Sequence, residues 1–138
     1  MDNNYDISTD RSKMDVNFIH DYLCNRSYWA KGRTLESVER SLEHSVCLGA
    51  FTPEGKQIGF ARFVTDYVVF AWVMDVFVVD GYQGMGIGKS LVQHILDYPG
   101  MDQVKGIGLR TNDAHALYQR FGFGEIQDTE TWMIRKRT

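Results

Sequence analysis

The sequence predicts one α/β domain over residues 1–138, built on a single mixed, mostly antiparallel sheet with helices on both faces. Three observations carry that prediction. The hydrophobic period switches between helical and extended in the order helix, helix, antiparallel meander, then strand–helix–strand–helix–strand. A glycine-rich turn, with Gly81, Gly84, Gly86 and Gly88, joins an apolar strand to an amphipathic helix. The 138 residues are 43% hydrophobic, which suffices for one core and argues against disorder.

Taken in order, residues 5–9 read as a short first strand. Ser12, with Asp15 three residues on, resembles a capping box. Val16, Ile19, Tyr22 and Leu23 then recur at helical spacing, to about Asn25. Loop 26–33 combines Tyr28 and Trp29 with the basic Arg26, Lys31 and Arg33. Thr34 is placed to cap a second helix, with Leu35, Val38 and Leu42 on one face. Residues 46–51 read as a strand and Thr52-Pro53-Glu54-Gly55 as a turn. Strands over 57–64 and 67–79 are joined so closely at Thr65-Asp66 that they must form an antiparallel hairpin. After the glycine turn, Leu91, Val92, Ile95 and Leu96 mark a third helix, which ends at Tyr98-Pro99-Gly100. Residues 104–110 are a strand diluted by Gly106 and Gly108. Thr111 or Asn112 caps a fourth helix carrying Ala114, Leu117 and Phe121, and Gly122 stops it. Trp132, Met133 and Ile134 close the chain as a strand.

Charge and cysteine content narrow the function classes. Fifteen basic residues against 18 acidic leave a net charge of −3, with no basic excess for a nucleic-acid backbone. The one basic cluster, Arg135-Lys136-Arg137, reads as a solvated tail. Cys24 and Cys47 are too few for a disulfide framework and lack zinc spacing, so free thiols in a reducing compartment are expected. The N-terminal run Met1-Asp2-Asn3-Asn4-Tyr5-Asp6 is polar and unlike a signal peptide. The longest apolar run, 67–74, is too short to span a bilayer. The expectation is a soluble, cytoplasmic protein with no nucleic-acid or membrane partner.

A strand, a glycine turn and a helix in that order make an anion cradle. The first helical N–H groups lack backbone partners, the helix dipole adds partial positive charge, and glycines let a phosphate approach. Lys89 adds a full charge. A P-loop needs a glycine at position 83, where Gln83 stands. A Rossmann fingerprint needs its third glycine at position 89, where Lys89 stands.

Gln83-Gly84-Met85-Gly86-Ile87-Gly88 resembles the Gln/Arg-x-x-Gly-x-Gly/Ala signature of the GNAT superfamily of acyl-coenzyme A-dependent N-acyltransferases. The strand lead-in 76–82 is similar too, although Asp80 stands where proline is common. Asn112-Asp113-Ala114-His115-Ala116-Leu117-Tyr118-Gln119-Arg120-Phe121-Gly122-Phe123 resembles the second signature, in which a helix ends in Leu-Tyr-x-x-Phe/Gly-Gly-Phe. The resemblance covers the whole predicted element order. It implies a sheet splayed into a V, with acetyl-coenzyme A (acetyl-CoA) between two parallel strands and no metal. It implies that the backbone of Val76, Phe77 and Val78 faces the pantetheine as an added strand would. The N–H groups from Gln83 through Gly84, Met85, Gly86, Ile87 and Gly88 to Lys89 would take the pyrophosphate.

The same resemblance implies direct acetyl transfer to a primary amine of a small molecule or peptide. Tyr118 matches the tyrosine that protonates the leaving thiolate; on position alone it would read as helix packing. Asn112 is either a helix cap or a cofactor contact. Asp75 is the anomaly of an apolar strand. In a cleft its pKa would rise by desolvation and suit a general base, with a water or a solvated surface acid as the alternatives. It lies three residues from the position of the family's glutamate base, which falls at Trp72. Tyr28, Trp29, Arg33 and Trp72 are candidates for the acceptor side. The aromatics would hold an apolar part or an ammonium, and Arg33 a carboxylate; loop anchoring is the competing role for Tyr28 and Trp29. A second functional class, a CoA-binding sensor without turnover, also fits, and homodimer formation stays open.

Overall fold

The computed structural model describes residues 4–137, so Met1 to Asn3 of the polar N-terminal run lie outside the described residues. Five strands form one sheet in chain order: β1 (Asp6–Ser8), β2 (Val46–Phe51), β3 (Gln57–Thr65), β4 (Phe70–Val78) and β5 (Gly106–Gly108). All neighbours are antiparallel except β4 and β5. A parallel pair cannot be closed by a tight turn. The connection is α3 (Ile87–Leu96), with a short 3₁₀ turn at Met101–Gln103.

Helices cover both faces. On one, α1 (Val16–Arg26) and α2 (Leu35–Glu43) pack Ile19, Leu23, Val38 and Leu42 against Cys47, Phe51, Phe60 and Phe77. On the other, Ile87, Leu91 and Ile95 of α3 pack against Leu48, Ala50, Ile58, Ala61, Phe63, Ala71 and Val73. Burial of each such aliphatic side chain contributes roughly 1.5–3 kcal/mol. The capping of α1 differs from expectation. Asp15, not Ser12, is the N-cap and accepts from the Phe18 N–H at 3.1 Å. Ser12 lies in a 3₁₀ turn capped by Asp10. Thr34 caps α2 as expected, accepting from the Ser37 N–H.

The β3–β4 ladder has one irregularity. Phe60 faces Phe77 and Arg62 faces Met74, so Ala61 stands opposite both Asp75 and Val76. This is a β-bulge, and Asp75 occupies its left-handed position with φ +56°. The bulge shifts the alternation of β4. Ala71 and Val73 face α3 before it; Val76 and Val78 do so after it, while Phe77 faces α1.

Strand β5 is far shorter than the 104–110 span expected. It pairs with β4 only from Phe70–Gly106 to Trp72–Gly108. A Cβ on Gly108 would come within 2.8 Å of both the Phe70 and Trp72 rings. Gly108 is therefore the bed on which the two aromatics lie. Beyond Trp72 the strands diverge, and this splay is the expected V. Helix α4 (His115–Gln119) is one short turn and a half whose N-cap, Ala114, makes no side-chain cap bond. Thr111 Oγ1 instead accepts from the Ala114 N–H, and Gly122 ends the segment at φ +89°.

The expected closing strand is absent. Residues 132–137 make no ladder, and Met133 is 95% exposed. β-Forming side chains do not make a strand without an edge to pair with. Trp132 only leans on Phe70, with ring centroids 6.1 Å apart. Among the described residues, no helix is long and apolar enough to cross a membrane.

Candidate active site

The splay opens a cleft of about 510 Å³. One wall is β4 from Trp72 to Val76. The other is the stretch from Leu109 to Ala114, with Tyr118 behind it, and loop 27–33 closes one side with Tyr28, Trp29 and Arg33.

That loop is shaped by Ser27, which ends α1 and is itself buried. Its hydroxyl donates to the Leu23 carbonyl at 2.8 Å and accepts from the Ala30 N–H at 3.0 Å. The tight fold buries Ala30 and pushes Tyr28 and Trp29 outward, where Trp29 is 40% exposed. Both therefore line the cleft, and their bonds to Asp75 and to the Asn112 N–H also hold the loop in place. Their rings meet edge to face at 5.0 Å. The Tyr28 hydroxyl accepts from the Asn112 N–H at 3.0 Å, a bond that ties this loop to the opposite wall. Asn112 is in the cleft but does not cap α4.

Asp75 is the electrostatic centre of the cleft. Its Oδ1 accepts from Trp29 Nε1 at 2.7 Å, and its Oδ2 accepts from Arg33 at 2.8 Å and from Arg62 Nε at 2.7 Å. Arg62 also donates to Ser45 Oγ at 3.0 Å. Burial, the largest single influence, pushes the Asp75 carboxyl up, but Arg62, Arg33 and the Trp29 N–H together override it and hold the group below its ordinary 3.8. The expected rise in pKa is thus corrected, because desolvation acts here against two ion pairs. A carboxylate so held is a weak base.

Arg62 is not among the candidates the sequence suggests, although the sequence carries a signal for it. It is a lone charge within an apolar strand, as Asp75 is, and the two strands form one hairpin. Unpartnered charges on adjacent strands are expected to find each other.

Tyr118 is buried, and its ring meets Phe123 edge to face at 5.8 Å. Burial, followed by Tyr28 and Asp113, raises its phenol pKa to about 12. The phenol is therefore protonated at neutral pH, and burial makes it a weaker acid than an exposed tyrosine. Trp72 lines the cleft, but its ring stacks on Phe70 at 6.1 Å over β5, so it forms floor more than a mobile contact.

The anion cradle follows β4. Gly84 and Gly86 have φ +86° and +81°, and Gly86 is the N-cap of α3. The first bond of α3 is Ser90 N–H to Gly86 carbonyl, so the N–H groups of Ile87, Gly88 and Lys89 have no partner within the helix. A Cβ on Gly84 would meet nothing within 4 Å, so the space beside the turn there is open, while one on Gly88 would touch Leu117 at 3.7 Å. Tyr5, the residue before β1, pins the turn by donating to the Gly86 carbonyl at 3.3 Å. Gln83 braces it by donating to the Val78 carbonyl at 3.2 Å. Met85 is half-buried, Lys89 is exposed, and the Ile87 side chain is in the core. Phe77 likewise faces inward, stacked on Tyr22 at 3.9 Å, so only its backbone could meet a ligand. A pyrophosphate fits this cradle, and an extended amide chain fits the splayed edge of β4.

Cys47 is buried, and burial pushes its thiol pKa up. It is therefore a poor candidate for a covalent nucleophile.

A family model described as an acetyltransferase (GNAT) domain matches residues 43–125. The crystal structure of a protein from Xanthomonas campestris pv. campestris, described as an acetyltransferase of the GNAT family, is similar with a TM-score of 0.92. It is 37% identical over 96% of this chain and 93% of that one. Glucosamine-6-phosphate N-acetyltransferase from Arabidopsis thaliana shares the fold, with a TM-score of 0.69 over 96% of this chain and 97% of that one at 16% identity. A Gibberella zeae protein described as an acetyltransferase is 25% identical over 133 residues, covering 83% of this chain and 75% of its own length. The ycf52 protein of Porphyra purpurea, described as an uncharacterised N-acetyltransferase, is 27% identical over 106 residues and 73% of this chain, which spans 60% of that protein.

Proposed function

Because the chain belongs to the GNAT acetyltransferase family, we propose that it transfers an acetyl group from acetyl-CoA to a primary amine of a small molecule or peptide. The observation that carries this reading is the splay after Trp72, with the glycine cradle past its β4 wall and Tyr118 on the opposite wall. When bound, the cofactor supplies an acyl thioester; the rest is the work of this chain's residues.

The N–H groups of Ile87, Gly88 and Lys89 hold the pyrophosphate, helped by the dipole of α3. The backbone from Val76 to Val78 orients the pantetheine. Tyr28, Trp29 and Arg33 enclose the acceptor and limit water around the reacting amine. With the thioester bound, the amine would attack its carbonyl directly, and the backbone N–H at Val76, beside the bulge, would be the donor for the oxygen. The ammonium first loses its proton to water in the cleft, since Asp75 is committed to its two arginines. The Tyr118 phenol gives its proton to the departing thiolate sulfur.

The test is thiol release from acetyl-CoA over a panel of amines. Wild-type protein should release thiol with at least one amine, and Tyr118→Phe should lower kcat about 100-fold with little change in acetyl-CoA affinity. Unchanged turnover in that variant would remove Tyr118 from the proton transfer. Tight acetyl-CoA binding without release for any amine would instead favour the non-catalytic CoA-binding reading.

A further inference from the structure

The cleft holds an imbalance of charge. Two guanidiniums converge on a single carboxylate oxygen, Oδ2 of Asp75. One negative charge thus meets two positive ones, in a place where their side chains are only 26% and 10% exposed. Arg110 and Asp113, which also line the cleft, cancel in formal charge without forming an ion pair with each other. A guanidinium has five N–H donors in a rigid fork. Arg33 spends one on Asp75, and Arg62 spends Nε on Asp75 and one further donor on Ser45. The remaining donors belong to residues that face the cleft. A partly desolvated net charge is costly unless an opposite charge joins it.

The pyrophosphate of the cofactor cannot supply that charge. Its cradle follows the C-terminal end of β4, beyond Val78, whereas the arginine pair sits at the bulge on the acceptor side. The carboxylate already accepts from three donors on its two oxygens. It therefore has little capacity to bind a second cationic group of an acceptor. The rings of Tyr28 and Trp29 line the cleft beside the pair, and aromatic rings can hold an ammonium.

Resting on the acyl-transfer reading above, we infer that the amine acceptor also carries an anionic group, a carboxylate or a phosphate, which seats on the guanidiniums of Arg33 and Arg62. The acceptor is then a zwitterion. Its acid end binds the arginine pair, and its amine lies against the aromatic wall on the side of Tyr118. A plain alkylamine or a polyamine leaves the arginine pair uncompensated and binds weakly.

The experiment compares matched pairs of probes: the common amino acids against their carboxamides, and phosphoethanolamine against ethanolamine. Two quantities are read, KM for thiol release from acetyl-CoA, and the dissociation constant from tryptophan fluorescence or calorimetry with CoA present. The acid-bearing member of at least one pair should be favoured about tenfold or more in either quantity. Arg33→Gln should erase that preference by raising KM more than it lowers kcat, while CoA affinity stays unchanged as evidence of folding. Arg33→Lys, which keeps the charge but not the fork, should retain part of it. Absence of any acid preference in both readouts, or its survival in Arg33→Gln, would overturn the inference. If no amine releases thiol but acid-preferring binding is found and lost in Arg33→Gln, the acyl-transfer reading falls and the anion seat stands.

Discussion

Asp75 shows how a single residue can be read two ways until its neighbours are known. As a lone carboxylate in an apolar strand, it is a natural candidate base. With Arg62, Arg33 and Trp29 around it, it is the anchor that holds loop 27–33 against the sheet. Its folded pKa lies below its ordinary value of 3.8. The stability it contributes is therefore present at neutral pH and down to the unfolded pKa, and is lost as pH falls through the folded one. Asp75→Asn should cost about 3 kcal/mol at pH 7, because it leaves two guanidiniums without their counter-charge. Asparagine tolerates the left-handed backbone that Asp75 adopts at φ +56°, so strain does not confuse the comparison. Thermal unfolding from pH 7 to pH 2.5 is the measurement. The gap between wild type and variant should narrow as pH falls below the ordinary carboxyl range; a constant gap would mean that the ion pairs are not its source. Asp75 stood out in the sequence as a charge out of place, but its role did not, since the deciding partner Arg62 is thirteen residues away.

At the scale of elements, local chemistry was the most legible. The strand over 46–51, the Thr34 cap and the stop at Gly122 are where turn and cap residues place them. The cradle before α3 was legible for the same reason, since glycine spacing there reports backbone conformation directly. Gly86 combines a left-handed N-cap with the first free N–H groups of α3. Gly86→Ala should cost about 1–2 kcal/mol through strain alone, because its Cβ would meet only the Tyr5 hydroxyl, at 3.9 Å. Gly86→Asp adds a carboxylate where the anion must sit, and should abolish CoA binding by calorimetry. Normal affinity in the Asp variant would displace the pyrophosphate from this turn. Two elements were misread for a tertiary reason. The extent of β5 depends on Phe70 and Trp72 lying over Gly108, and a closing strand at Trp132 needs an edge to pair with. Neither condition is written in the local sequence.

For the whole molecule, the element order predicted the mixed sheet and its two helical layers, because hydrophobic period and connection length constrain topology strongly. The splay was expected only through family resemblance, since no property of β4 and β5 taken separately requires it. It has a thermodynamic consequence. CoA bound across the V would join the two diverging walls in the native state alone. At 100 times its dissociation constant it should add about 2.7 kcal/mol and raise the melting temperature by on the order of 10 °C. Pantetheine, which lacks the pyrophosphate, should do so only at far higher concentration. Equal effects of the two at equal concentration would deny the cradle its part in binding.

The bulge at Asp75 amounts to one residue more than a regular strand needs. Removing that residue would give β4 an unbroken alternation and a smoother ladder with β3. It would leave Phe77 facing α1 and Val76 and Val78 facing α3, but it would take from Arg33 and Arg62 the carboxylate they share. The change that makes the better sheet makes the poorer protein. A one-codon deletion here would thus be tolerated by the sheet and by both cores and felt in the cleft, so the extra residue serves the site and not the fold.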